Sequence, residues 1–218
     1  MKRCLLFCVL VVAYSASAQT IGFGVHGNMI NSNINAKVQQ LVNYQSTSGL
    51  TQVALDQVYG LGYGGGVHFD LGFGIASIRI SGDYITLSPD KAKFTEYVQA
   101  VMPGLPLQFV DGGKVDMISG NANAKLVVLP LPVVKPYVTG GAGLCNVKAT
   151  DVTLSIAGFN LKPITLLKTQ TVGTFNAGAG VDLQFGPVTV YAELKVNWLM
   201  LDEGTSTMVP IATAGITF

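Results

Sequence analysis

The chain has 218 residues, of which 49% are apolar, 11% are charged and 26 are glycine, and its formal net charge is +1. Lys and Arg are few and unclustered, which argues against nucleic-acid binding, while the apolar content exceeds that of an ordinary soluble domain. Beyond residue 18 no unbroken apolar stretch approaches the roughly 18 residues of a membrane-spanning helix, so the hydrophobicity belongs to a large core or to the outside of a closed barrel.

Read from the start, Met1, Lys2 and Arg3 precede an apolar run from Cys4 to Ala13 and an exit at Ala16-x-Ala18. A basic start, a short apolar core and small residues at −3 and −1 predict a secretory signal peptide over 1–18, with one domain over 19–218. Lipoprotein processing at Cys8 is disfavoured by the bulky Phe7 before it. Cleavage after Ala18 removes Cys4 and Cys8 and leaves only Cys145, which excludes an intramolecular disulfide in the mature chain.

Eight strands are predicted, over about 20–30, 58–71, 75–87, 114–128, 136–147, 171–184, 188–199 and 208–218. The sixth and seventh carry the plainest signal: Phe175, Ala177, Ala179, Val181 and Leu183 alternate with Asn176, Gly178, Gly180 and Asp182, and Val190, Ala192, Leu194, Val196 and Trp198 with Tyr191, Glu193, Lys195 and Asn197. Successive strand side chains point to opposite faces. Soluble strands usually have about five or six residues, whereas a strand tilted across a bilayer needs roughly nine to eleven, and these are longer still.

The connections alternate in length. Gly72-Phe73-Gly74, Leu129 to Lys135 and Phe185-Gly186-Pro187 are short; those after strands one, three and five run to about two dozen residues, and Met200 to Thr207 follows strand seven. Loops beyond about 12 to 15 residues are uncommon in compact soluble domains, so their recurrence on every second connection places the long loops at one rim and the tight turns, with both termini, at the other. Ser88-Pro89-Asp90, then Lys91 to Val101 and Pro103-Gly104, predicts a short helix with Pro at its first position, and Ala36 to Tyr44 carries a fainter version. Phe73, Tyr137, Phe185 and Phe218 are placed near the short-turn rim, and Tyr84 and Trp198 near the long-loop rim, as two aromatic girdles. At the end of the chain Ala212, Ala214, Ile216 and Phe218 share a face.

In strand pattern, loop asymmetry and terminal aromatic strand the chain from residue 19 onward resembles the small eight-stranded outer-membrane barrels, the class that includes the OmpA transmembrane domain and OmpX. The resemblance implies an all-β, antiparallel, up-and-down transmembrane barrel, monomeric, in the outer membrane of a Gram-negative cell envelope. It further implies recognition of Phe218 and its strand by the outer-membrane assembly machinery. Roles in adhesion, envelope integrity or evasion of host defence follow from the class, exerted on an unknown extracellular ligand through the loops over 31–57, 88–113 and 148–170.

With the apolar set turned to lipid, the lumen receives His26, His68, Asp70, Ser77, Arg79, Asp83, Asp116, Ser119, Asn121, Asn123, Lys125, Asn176, Asp182, Glu193 and Lys195, and the lipid face carries no charge. Gly62, Gly64, Gly66, Gly178 and Gly180 also face inward and leave room for Arg79, Glu193 and Lys195; one natural register sets His68 opposite Arg79 and Asp70 opposite Ser77. His68, Asp70, Arg79, Asp83, Lys125, Asp182, Glu193 and Lys195 are read as a polar network filling a space that eight strands leave only side-chain wide. A small gated pore is the alternative, and a soluble lipocalin-like barrel is disfavoured by the apolar outward faces. Neither His26 with Ser32 nor His68-Phe69-Asp70 makes a nucleophile–base pair, so no enzyme is expected. Two histidines without clustered Cys or Glu likewise lead to no expected metal site and no cofactor.

Overall fold

The computed structural model describes residues 19–31, 35–36, 53–54, 59–101, 107–156, 158–160, 163, 169–200 and 206–218. The expected signal segment lies outside them, and so does the faint helix over 36–44 except for Ala36 itself, which pairs with Val53 in a short strand. Eight long strands form one closed antiparallel barrel in chain order: β1 (Gln19–Asn31), β2 (Leu61–Phe73), β3 (Ala76–Leu87), β4 (Val115–Val127), β5 (Val134–Ala149), β6 (Gln170–Phe185), β7 (Val188–Met200) and β8 (Ser206–Thr217). The seam runs from Gly24↔Thr217 to Ile30↔Ile211, and Phe218 extends it by exchanging backbone hydrogen bonds with Phe23 at 3.1 and 2.8 Å. Pro210, which donates no ladder bond, lies just past the point where β1 pairing stops at Ile211.

The turns are tighter than expected, and this corrects one register. Phe73 pairs with Ala76 and Phe185 with Val188, leaving two-residue turns headed by Gly74 (φ 68°) and Gly186 (φ 62°). A positive φ at the first turn residue suits hairpins of right-twisted strands. In consequence Asp70, not His68, stands opposite Arg79, and His68 stands opposite Ser81. The two-residue slip preserves the faces, since side chains repeat every second residue.

Outward positions are apolar or small through the middle of every strand; Leu194, at the centre of β7, is 71% exposed. Asp116 is a correction. It alternates with buried Val115 and Met117 and so points out of β4, where it pairs with Lys148 in register, accepts a hydrogen bond from the Tyr84 hydroxyl at 2.8 Å and meets Lys114 Nζ at 3.1 Å. The outward face is therefore not wholly uncharged, but Asp116 and Lys148 both sit at the long-loop ends of their strands. Tyr137 is the second correction: at 1% exposure it lies inside the barrel, because β5 turns it inward with Cys145 and Val147. Phe73, Phe185 and Phe218 remain outward at the turn rim.

Two zones fill the interior. Toward the turn rim the side chains are charged and polar. At the long-loop end of the strands Ile30, Ile85, Leu87, Val115, Met117, Cys145, Val147, Val172, Leu199, Val209 and Ile211 form a buried apolar layer, and the same cluster takes in Tyr59, Phe94, Val152 and Leu154 from beyond the barrel. Those outer residues belong to a folded cap. Helix α1 (Lys91–Val101) packs Phe94 on Phe109 at 4.9 Å between ring centroids, and strands Leu107–Gly112, Val152–Ile156 and Phe159–Asn160 form a three-stranded sheet joining the second and third long loops. The predicted helix is present, with one change: Asp90 Oδ1 caps it by accepting from the Ala92 and Lys93 amides at 3.0 and 3.3 Å, and Pro89 precedes the cap.

Candidate functional site

The lumen gathers the polar residues that the alternation points inward, and the strand registers decide their partners. Arg79 on β3 holds Asp70 on β2 by two parallel hydrogen bonds of 2.7 Å from Nε and Nη2, and its guanidinium carbon lies 4.3 Å from the centroid of the Tyr191 ring on β7. Lys125 on β4 reaches across to Asp182 on β6 at 2.5 Å, with Nζ 3.9 Å from the centroid of the Tyr137 ring. Tyr137 in turn donates to Glu193 Oε2 at 3.0 Å, and Lys195 Nζ stands 3.8 Å from Glu193 Oε1. Charges removed from water require such partners, because each buried ion forfeits several kcal/mol of hydration.

Asp83 is treated differently. It accepts from His26 Nε2 at 2.6 Å, Asn28 Nδ2 at 2.8 Å, Ser81 Oγ at 3.2 Å and Asn121 Nδ2 at 3.4 Å, and among the described residues it has no Lys or Arg within ion-pair distance. His26 Nδ1 stands 3.2 Å from His68 Nδ1, whose other nitrogen is 2.8 Å from Thr217 Oγ1. The eight residues read as a polar network, from His68 to Lys195, all point inward, in separate clusters rather than one chain, whereas Asp116 of the wider lumen set points out. The inward glycines serve partly different neighbours from those expected: a Cβ at Gly178 would stand 2.7 Å from Lys195 Cβ as foreseen, whereas Gly66 makes room for His26 and Asp83, Gly62 for Leu87 and Gly180 for Tyr137.

At the turn rim the lumen opens into a cavity of about 510 Å³ lined by Thr20, Asp70, Ser77, Lys125, Lys135 and Asp182, with Thr217 and Phe218 at its edge. Lys135 bonds to Gln184 there. The apolar layer closes the opposite end. Sequence reasoning missed that layer, although it has a signal: the inward positions turn apolar at strand ends, as at Ile85 and Leu87, and in Trp198-Leu199-Met200 both faces do. The arrangement pairs buried charge and fills the interior with side chains. Among the described residues no three His, Cys, Asp or Glu side chains converge.

A closed eight-stranded up-and-down barrel with an apolar outer band and a polar, side-chain-filled interior defines the class: the architecture of the small outer-membrane barrels. Solved structures of similar form include Neisserial surface protein A (13% identity, 92% of this chain and 97% of that one, TM-score 0.47) and the N-terminal β-barrel domain of Pseudomonas aeruginosa OprF (12%, 92% and 100%, 0.42). The attachment invasion locus protein Ail of Yersinia pestis is a third (13%, 92% and 97%, 0.40). The likeness is one of form and carries no statement about activity. No protein-family model and no curated protein sequence matches the chain.

Proposed function

We propose that the chain is an integral outer-membrane barrel that conducts nothing at rest and presents its long loops as a binding surface outside the cell. The observation that carries this is the shared core of barrel and cap: Ile30, Leu87, Val115 and Val209 from the strands are buried together with Tyr59, Phe94, Val152 and Leu154 from the loops. A loop sheet anchored in this way is a preorganised surface, and preorganisation lowers the entropic cost of binding a partner. The same layer supports a closed tube. In this reading residues 1–18 direct export, the bilayer surrounds the band centred on Leu194, the barrel is monomeric, and the strand ending at Phe218 is presented to the assembly machinery.

The test is to refold residues 19–218 into detergent and compare gel mobility before and after boiling, with circular dichroism alongside. A β-rich spectrum and a heat-dependent shift support the membrane barrel; a β-rich protein that stays soluble without detergent overturns it. Binding is then assayed on whole cells with and without the cap segments 88–113 and 150–169. The pore reading draws on the open cavity at the turn rim and predicts conductance in planar bilayers that changes when Arg79, Glu193 or Lys195 is replaced.

A further inference from the structure

Three rings meet in the lumen with their donor atoms turned toward one another. His26 Nδ1 and His68 Nδ1 are 3.2 Å apart, and the Tyr191 hydroxyl is 3.4 Å from His68 Nδ1. The outer nitrogen of each imidazole is engaged: His26 Nε2 by the Asp83 carboxylate at 2.6 Å and His68 Nε2 by Thr217 Oγ1 at 2.8 Å. A carboxylate can only accept, so His26 carries its proton on Nε2 and turns the lone pair of Nδ1 inward. The Thr217 hydroxyl both donates and accepts, so His68 either donates Nδ1–H to His26 or turns a second lone pair inward, and in the second state a cation between the two nitrogens holds both.

We propose that His26 Nδ1, His68 Nδ1 and the Tyr191 oxygen form a site for one divalent transition-metal ion of the zinc or cobalt type, with water as fourth ligand. Two ligand atoms each roughly 2.0–2.1 Å from a tetrahedral ion are about 3.3 Å apart, close to the 3.2 and 3.4 Å that separate His68 Nδ1 from His26 Nδ1 and from the Tyr191 oxygen. Imidazole suits these metals. A carboxylate that orients the far nitrogen of a ligating histidine is the usual outer partner of such sites, and Asp83 holds that position. Charge agrees: Asp70 is matched by Arg79, Asp182 by Lys125 and Glu193 by Lys195, whereas Asp83 has only His26 among the described residues. The backbone is cut to fit these rings. A Cβ at Gly24 would collide with the His68 imidazole, one at Gly66 would stand 2.7 Å from His26 Nε2, and one at Gly215 would stand 2.7 Å from both His26 Cβ and Tyr191 Cε1. Thr217, the partner of His68, borders the open cavity at the turn rim, while the three rings themselves are buried behind it. Both imidazoles bind as neutral Nε2–H tautomers and release no proton; the Tyr191 phenol, beside Arg79, gives up one to solvent as its oxygen binds.

The experiment is titration of tag-free, chelator-stripped, refolded barrel with Co²⁺, followed by displacement with Zn²⁺. The expected result is one equivalent bound, with the intense visible absorption of tetrahedral cobalt, bleached by Zn²⁺. His26→Gln and His68→Gln should each abolish that band, Asp83→Asn should weaken affinity roughly 10- to 100-fold, and Tyr191→Phe should weaken it and remove the proton release. Should the histidine or Asp83 variants fail to fold, Tyr191→Phe together with the metal-induced shift of the imidazole nitrogens in ¹⁵N spectra of the unsubstituted barrel decides. Absence of saturable binding by folded barrel, with the two histidines titrating as a proton-sharing pair only, overturns the proposal, and so does binding that survives both histidine variants.

Discussion

Lys125 illustrates how much a single lumen residue carries. Its ammonium is held by Asp182 and lies over Tyr137, and both ions of the pair are nearly removed from solvent. Lys125→Met should therefore destabilise the barrel by about 3–5 kcal/mol, the usual cost of leaving one buried charge without its partner, while adding Asp182→Leu should recover most of that loss. Urea-induced unfolding from lipid vesicles measures both, and a single variant as stable as the parent would remove the pair from any account of stability. That these residues point inward was legible from parity alone. Which of them touch was not, because Asp70 meets Arg79 only by virtue of a two-residue turn at Gly74, and one residue more in that turn would have changed the register and the partner.

Elements at the loop rim behave as a folded unit seated on the barrel. The Tyr59 hydroxyl donates to the Gly113 carbonyl at 2.5 Å, and burial pushes its pKa up to about 12 from the ordinary 10.0. A group that binds its proton more tightly when folded stabilises fully below pH 10, and that contribution is lost as pH rises from 10 through 12. Hydrogen exchange of the 107–112 and 152–156 strands should accelerate over that window in the parent and show a smaller slope in Tyr59→Phe. Asp90→Ala, which removes the α1 cap, should cost about 1 kcal/mol, read as faster proteolysis within 91–101 while the heat-dependent mobility of the barrel stays unchanged. The helix was legible from Ser88-Pro89-Asp90 and the closing Pro103-Gly104, though not which residue caps it. The small sheet was not, since its strands lie some forty residues apart and pair only after the barrel has brought the second and third loops side by side.

For the molecule as a whole, the decisive surface is the outer band. Leu194→Arg, at the middle of β7, should cost about 2–4 kcal/mol in a bilayer, as an arginine at the midplane does, measured by the refolding equilibrium in vesicles; a neutral effect would mean that this face does not meet lipid. Conductance offers a second check at this scale. Arg79→Ala should leave the barrel closed, because the layer of Ile30, Leu87, Val209 and their neighbours still seals the loop end. Steady current through that variant would make the charged network, rather than the apolar layer, the barrier.

What the sequence by itself determined was the periodic part: strand number, the inward and outward faces, the alternation of long and short connections, and hence closure into a barrel. Each rests on a local rule, since side chains alternate at every residue whatever their partners. Tertiary structure alone decided the rest. Asp116 came to stand beside Lys148 and Tyr84, Tyr137 came to lie between Lys125 and Glu193, Asp70 met Arg79, and His26, His68 and Tyr191 met across three strands. These outcomes depend on register and closure, which set distances between residues far apart in the chain, and no pattern within one strand encodes them.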